Sequence, residues 1–291
     1  MAFRFTRRES IAAGVLRLAS GELVAAAALL RDDATTATLR VHGARKASKR
    51  VRALLRLVRA GLAAPRFRAA NLGLRDAARG LAAARDAVVA LATFDDLVPI
   101  PGDELAPVRA ALLAAADASG TAGVGPELLA RAADALDRVH AQLSDGLVGR
   151  ALTWDHLEAG LQDSYAEGRR AMRVAFDSPD DEAFHAWRKR VKDLWYQTQL
   201  LNGLCEPVLA AQERLLADLG DRLGDDHDLA VLAAQPAAVG LPALTAVIDE
   251  RRRTLRRDAW RLGQQIYAER PRAFLRRLTA YWRIWRTDDE S

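Results

Sequence analysis

The sequence predicts an all-helical protein, and three observations carry that expectation. Its long segments are built mainly from Ala, Leu, Arg, Glu and Asp, most of them good helix formers. Apolar positions recur at three and four residues, and no Val/Ile/Thr alternation of strand period interrupts them. The stretches between these segments are short and carry Pro, Gly or Asp, as helical bundles prefer.

Taken in order, helices are expected over 9–31, 36–60, 66–93, 103–117, 126–150, 154–176, 181–203, 207–234, 242–269 and 271–286. The first stops at Asp32-Asp33, and the third follows Pro65. Pro99-Ile100-Pro101-Gly102 and the run from Gly120 to Gly125 bracket the fourth. Ser178-Pro179 precedes the seventh, and Asp181 is placed to cap it. Pro207, Gln235-Pro236, Pro242 and Pro271 punctuate the remainder.

A chain of 291 residues holds one large domain or two modest ones, and 50% hydrophobic with 28% charged residues is a globular balance. Cys205 is the one cysteine, so no internal disulfide is possible. The opening residues do not read as a signal peptide, and no apolar run approaches the roughly 18 residues of a membrane span. The expectation is a cytoplasmic protein without membrane insertion.

The formal charge is 43 − 38 = +5, but its placement is uneven. Residues 40–59 hold eight cationic side chains and no acid, while residues 251–286 hold twelve Arg against Asp258 and Glu269. Positive charge concentrated in this way predicts an anionic partner: a polyphosphate, a nucleic acid or a membrane surface.

An internal repeat organises the chain. VHGARKASKRVRALLRL (41–57) aligns without a gap on FHAWRKRVKDLWYQTQL (184–200), pairing His42 with His185, Arg45 with Arg188, Lys46 with Lys189 and Lys49 with Lys192. Downstream, LAAARDAV (81–88) meets LGDDHDLA (223–230), pairing Asp86 with Asp228 and Arg85 with His227. The chain has only four Lys against 39 Arg, and all four Lys occupy matched positions of the two motifs. A compact, mobile ammonium is therefore selected there over a planar fork.

On a helix, Arg45, Lys46, Lys49 and Arg56 fall within about 60° of His42. Ala44, Ala47, Val51, Leu54, Leu55 and Val58 take the opposite side, giving a core face and a basic face. The second copy presents His185, Arg188, Lys189, Lys192 and Tyr196, backed by Trp187, Leu194 and Leu201. Like charges at these spacings repel, so folding alone gains nothing from them, whereas a multivalent anion would offset the cost.

This doubled His-x-x-Arg-Lys-x-x-Lys pattern resembles the CHAD family (conserved histidine α-helical domain). The segments FRFTRRESIAAGVLRLASGEL, LQDSYAEGRRAM (161–172) and PRAFLRRLTAYWRIW also resemble it. The resemblance implies two similar four-helix bundles about a pseudo-twofold axis, enclosing a basic central cavity or groove that binds inorganic polyphosphate. It implies no catalysis and no cofactor. Residues 3–286 would form one such domain, with a first bundle over 3–150, a second over 151–286, and an acidic tail at 287–291. The implied ligands are His42, Arg45, Lys46, Lys49, His185, Arg188, Lys189 and Lys192. Arg52 and Arg56 extend the first stripe, and Tyr165, Arg169 and Arg173 are further candidates on the preceding helix. Asp193 and Trp195 stand where the first copy has Arg50 and Arg52, and the arginines of 251–286 are expected to compensate. Polyphosphate granules are the expected location, with protein partners recruited to the polymer and nucleic acid as a competing polyanion.

Other constellations rank lower. Asp225-Asp226-His227-Asp228 would suit a metal-dependent phosphohydrolase, but the repeat shares only the last aspartate, whose expected job is to pair with an arginine. His140 and His156 stand alone and are assigned no role. The six Trp, all in the second half, read as packing residues.

Overall fold

The structure, a computed structural model, describes residues 3–81, 83–98, 102–122, 125–147 and 149–287, without the side chains of 83–85 and 119–122. The side chain of Arg85, the Pro99–Pro101 run and most of the acidic tail thus lie outside what is described. Those described form eleven α-helices and no strand. The helices are α1 (Ile11–Leu30), α2 (Ala37–Leu57), α3 (Ala64–Gly80), α4 (Ala83–Leu97), α5 (Ala106–Ala122) and α6 (Pro126–Leu147). They continue with α7 (Trp154–Asp177), α8 (Asp181–Leu201), α9 (Glu206–Ala233), α10 (Pro242–Ile266) and α11 (Pro271–Thr287). Single 3₁₀ turns at Arg59–Gly61 and Asn202–Leu204 follow α2 and α8. α1 and α7 begin 154 − 11 = 143 residues apart, the offset between the two basic motifs.

Local chemistry sets several helix ends. Ser10 Oγ accepts from Ala13 N at 3.2 Å at the start of α1. His156 and Thr153 form a reciprocal cap at the start of α7, His156 Nδ1 accepting from Thr153 N at 3.0 Å. The expected cap of α8 is corrected by one residue. Asp180 caps it, accepting from Ala183 N at 2.7 Å, and Asp181 turns away to Arg252 and Arg256 of α10.

The expected helix over 66–93 is in fact two. No Pro marks the break; α3 ends on Gly80, and packing separates the two helices: Leu81 is buried in the main core, whereas Ala90 and Phe94 of α4 belong to a second one. α1, α2, α3 and α6 pack together, as do α7, α8, α9 and α10, with α11 against α7. The α4–α5 hairpin lies before residue 150 yet packs on α9. One apolar core runs through residues from Phe3 to Trp285, and the second joins α4 and α5 to α9 and α10.

α1 corrects another expectation. It is 20 residues long and holds an 18-residue stretch of mean hydropathy 1.6, long and apolar enough to cross a membrane by length and composition. Arg17 and Glu22 interrupt it less than the sequence suggests. The helix packs against α2 and α6, burying Val15, Leu18, Leu23 and Leu30.

Where the two halves meet, α7 crosses the end of α2 at Gly160. A Cβ there would sit 2.1 Å from Leu57 O and 2.8 Å from Arg56 O, so the approach of the two backbones requires glycine.

Candidate functional site

The apolar faces read from the motifs place both basic helices. Ala44, Ala47, Val51, Leu54, Leu55 and Val58 are all buried, as are Trp187, Leu194 and Leu201. α2 and α8 then pack directly on one another: Gln197 Nε2 donates to Ala53 O at 3.2 Å, and Arg56 Nη1 lies 2.9 Å from Asp193 Oδ1. Their basic faces open onto one cleft of about 460 Å³, with α3, α4 and α9 completing the walls.

Eight of the expected ligands line this cleft: Arg45, Lys49, Arg52, Arg56, His185, Arg188, Lys189 and Lys192. Neighbours orient several of them. Arg45 Nη1 donates to Ala78 O at 3.1 Å, and Arg52 Nε donates to Asn71 Oδ1 at 3.0 Å. Lys192 Nζ lies 3.3 Å from Asp221 Oδ1 and 4.4 Å above the Trp195 ring.

Five expected ligands are elsewhere. His42 and Lys46 are exposed and do not line the cleft. Tyr165 is a core residue, fully buried, donating to Ile266 O at 3.0 Å and stacked on Phe274 at 4.3 Å. Desolvation raises its hydroxyl to about 12, so it is a structural donor. Arg169 and Arg173 border a separate concavity with Trp260 and Gln264, because that face of α7 points toward α10. The compensation expected from 251–286 does not occur either, since none of those arginines lines the cleft.

The sequence reading missed Arg75, Arg79, Arg190 and His227. Arg75 and Arg79 are one helical turn apart on α3, a spacing visible in the sequence, but nothing there shows which element faces the motif helices. Ten Lys and Arg side chains line the cleft against Asp86, Asp193 and Asp228, a balance of 10 − 3 = +7.

Burial and crowding work against these charges. Desolvation, then His227, Lys189, Arg188 and Lys49, push the His185 imidazolium down to about 4. His185 stacks on His227 at 4.3 Å, and its buried Nδ1 has no hydrogen-bond partner among the described residues. His227 is lowered by desolvation and by Arg188. Desolvation likewise lowers Lys192, against the pull of Asp221, and Arg52, with help from Arg56. In each case burial is the larger cause, and the neighbouring cations add to it.

The Asp225–Asp228 run divides on α9. Asp226, not Asp228, pairs with arginine: it is 1 % exposed, with Arg252 Nε at 3.0 Å and Arg256 Nε at 2.9 Å from Oδ1. Asp225 is exposed, while His227 and Asp228 line the cleft. Among the described residues no group of three or more His, Cys, Asp or Glu is arranged to hold a metal ion. His140 Nε2 lies 2.9 Å from Ser20 Oγ. Trp154 and Trp282 stack at 4.8 Å, and Trp187 is fully buried.

No curated protein matches this chain. Its fold is similar to the crystal structure of the CHAD domain from the plant Ricinus communis, with a TM-score of 0.61 and 20% identity over 97% of this chain and 95% of that one. The family model for the CHAD domain matches residues 14–237, spanning the cleft-lining residues of both basic motifs. The chain belongs to the CHAD domain family.

Proposed function

We propose that this protein binds inorganic polyphosphate, without altering it chemically, in the cleft between α2, α3, α4, α8 and α9. The observation that carries the reading is the meeting of two sequence-distant motifs on one concavity with a balance of +7. A linear polyanion with a charge on every phosphate suits this lining. Arginines offer forks, Lys49, Lys189 and Lys192 offer mobile point charges, and the two imidazoles offer donors. Among the lining residues Tyr196 is the one aromatic side chain apart from the histidines, and it is 5 % exposed, which leaves no Phe, Tyr or Trp ring on which nucleic-acid bases could stack. Binding of this kind would hold the protein, and partners attached to it, at polyphosphate deposits.

The test is competition of long-chain polyphosphate with duplex DNA and RNA near physiological salt. It uses the wild type and a variant with Lys46, Lys49, Lys189 and Lys192 all changed to Ala. Polyphosphate should win on the wild type, and the variant should lose that preference while keeping its helical circular dichroism. Equal competition by nucleic acid, or undiminished binding by the variant, would overturn the reading.

A further inference from the structure

The arginines of 251–286 remain to be accounted for. Arg252 and Arg256 pair with Asp181 and Asp226, Arg253 with Glu250, and Arg277 with Glu269. Of the arginines that form no ion pair among the described residues, Arg270, Arg272 and Arg276 are exposed and line a second concavity of about 500 Å³ between α7 and α11. This concavity shares no residue with the cleft.

The placement runs against helix electrostatics. α11 opens at Pro271 with no acidic side chain in its first turn, where the dipole favours an anion and disfavours a cation. Arginine instead stands just before the helix, in its first turn and again four residues on, and the last two repel at i, i+4. The adjacent carboxylate, Glu269, is held by Arg277 at 2.7 Å. Glu158, the one acid of the lining, accepts from Thr279 Oγ1 at 3.3 Å, leaving 3 − 1 = +2. Gln162 adds an amide to the same wall.

From this arrangement we infer that Arg270, Arg272 and Arg276 form a second polyphosphate site, making each molecule bivalent for the polymer. The inference rests on the polyphosphate reading of the cleft. The chemistry favours a phosphate chain over other polyanions. Three arginine forks suit phosphate oxygens, whereas the lining has no aromatic ring to stack a base. Nor does it have an exposed large apolar side chain to enter a membrane, since Leu275 is buried. A long chain could thus be gripped in the cleft of one molecule and at α11 of the next, and many chains would be cross-linked into an assembly.

Calorimetric titration with tripolyphosphate, too short to bridge molecules, counts the sites, and light scattering with long-chain polyphosphate reads cross-linking. The wild type should show two sites and scatter. A variant with Arg270→Gln, Arg272→Gln and Arg276→Gln should keep one site and lose the scattering, its fold unchanged because all three side chains are exposed. The four-lysine variant should keep the other site. A single site in the wild type, removed by the lysine variant, would overturn the second site and leave the cleft reading standing. Two sites in the lysine variant would instead overturn the cleft reading while the arginine variant still tests α11. Displacement of polyphosphate from the arginine site by an equal phosphate concentration of single-stranded RNA would overturn the assignment of its ligand.

Discussion

His185 sits half-buried with His227 stacked on its ring and Lys189, Arg188 and Lys49 nearby, and the sum holds it neutral down to about pH 4. An unfolded chain would protonate the same side chain near 6.5. Between those values the unfolded state binds the extra proton, so stability falls as pH drops from about 6.5 to about 4, and this group adds nothing further below. His185→Gln should flatten that part of the profile, read as the difference in urea midpoint between pH 7 and pH 4.5. A bound polyanion reverses the preference and favours the imidazolium. Polyphosphate affinity should therefore rise as pH falls through the histidine range, and a flat affinity from about pH 5.5 to 8 would exclude direct contact of His185 with the anion. The stacked pair was half legible: His185 belongs to the repeated motif, but His227 sits in a run that reads as metal-binding until the fold turns Asp226 away from it.

At the scale of the element, α9 and α10 are joined by Asp226, which receives two guanidinium groups at a site 1 % exposed. Removing its charge leaves Arg252 and Arg256 with half their partners, and Asp226→Asn should cost about 3 kcal/mol in denaturant unfolding. Asp228→Asn two residues on should leave stability nearly unchanged, the reverse of what the repeat suggests. The crossing of α7 over α2 gives a second case. Gly160→Ala would drive a Cβ against backbone carbonyls that cannot move aside, and a loss of about 3 kcal/mol is expected in the same measurement. Nothing near position 160 in the sequence marks this glycine, because its neighbour is the backbone of a helix end a hundred residues earlier.

The whole molecule brings positive charge to one cleft from three helices, four cations each from α2 and α8 and two from α3, and no single helix carries most of it. Attraction of a polyanion to such a field comes largely from released counterions, so polyphosphate affinity should fall roughly a hundred-fold or more between 50 and 200 mM salt. A titration at two salt concentrations checks this, and a shallow dependence would mean that few of the ten cations touch the chain. The α2–α8 contact is what aligns the stripes, and Arg56 and Asp193 share in it by spanning the two helices at 2.9 Å. Asp193 was read as weakening the second stripe; in the fold it holds the first copy's Arg56 at the cleft wall.

The helical class, most helix positions, both basic faces and their core faces follow from the sequence alone, because they depend on periodicity within a single helix. Which side chains share a site was decided by tertiary packing. His42 and Lys46 match His185 and Lys189 residue for residue, yet only the second pair reaches the cleft. Tyr165 has the right spacing on α7 but the wrong face, and the break between α3 and α4 is marked locally by Gly80 alone, inside a helical periodicity that continues past it. Spacing along a chain fixes direction within a helix, while the angle at which one helix crosses another depends on buried contacts such as Gly160 against Leu57, made by residues far apart in sequence.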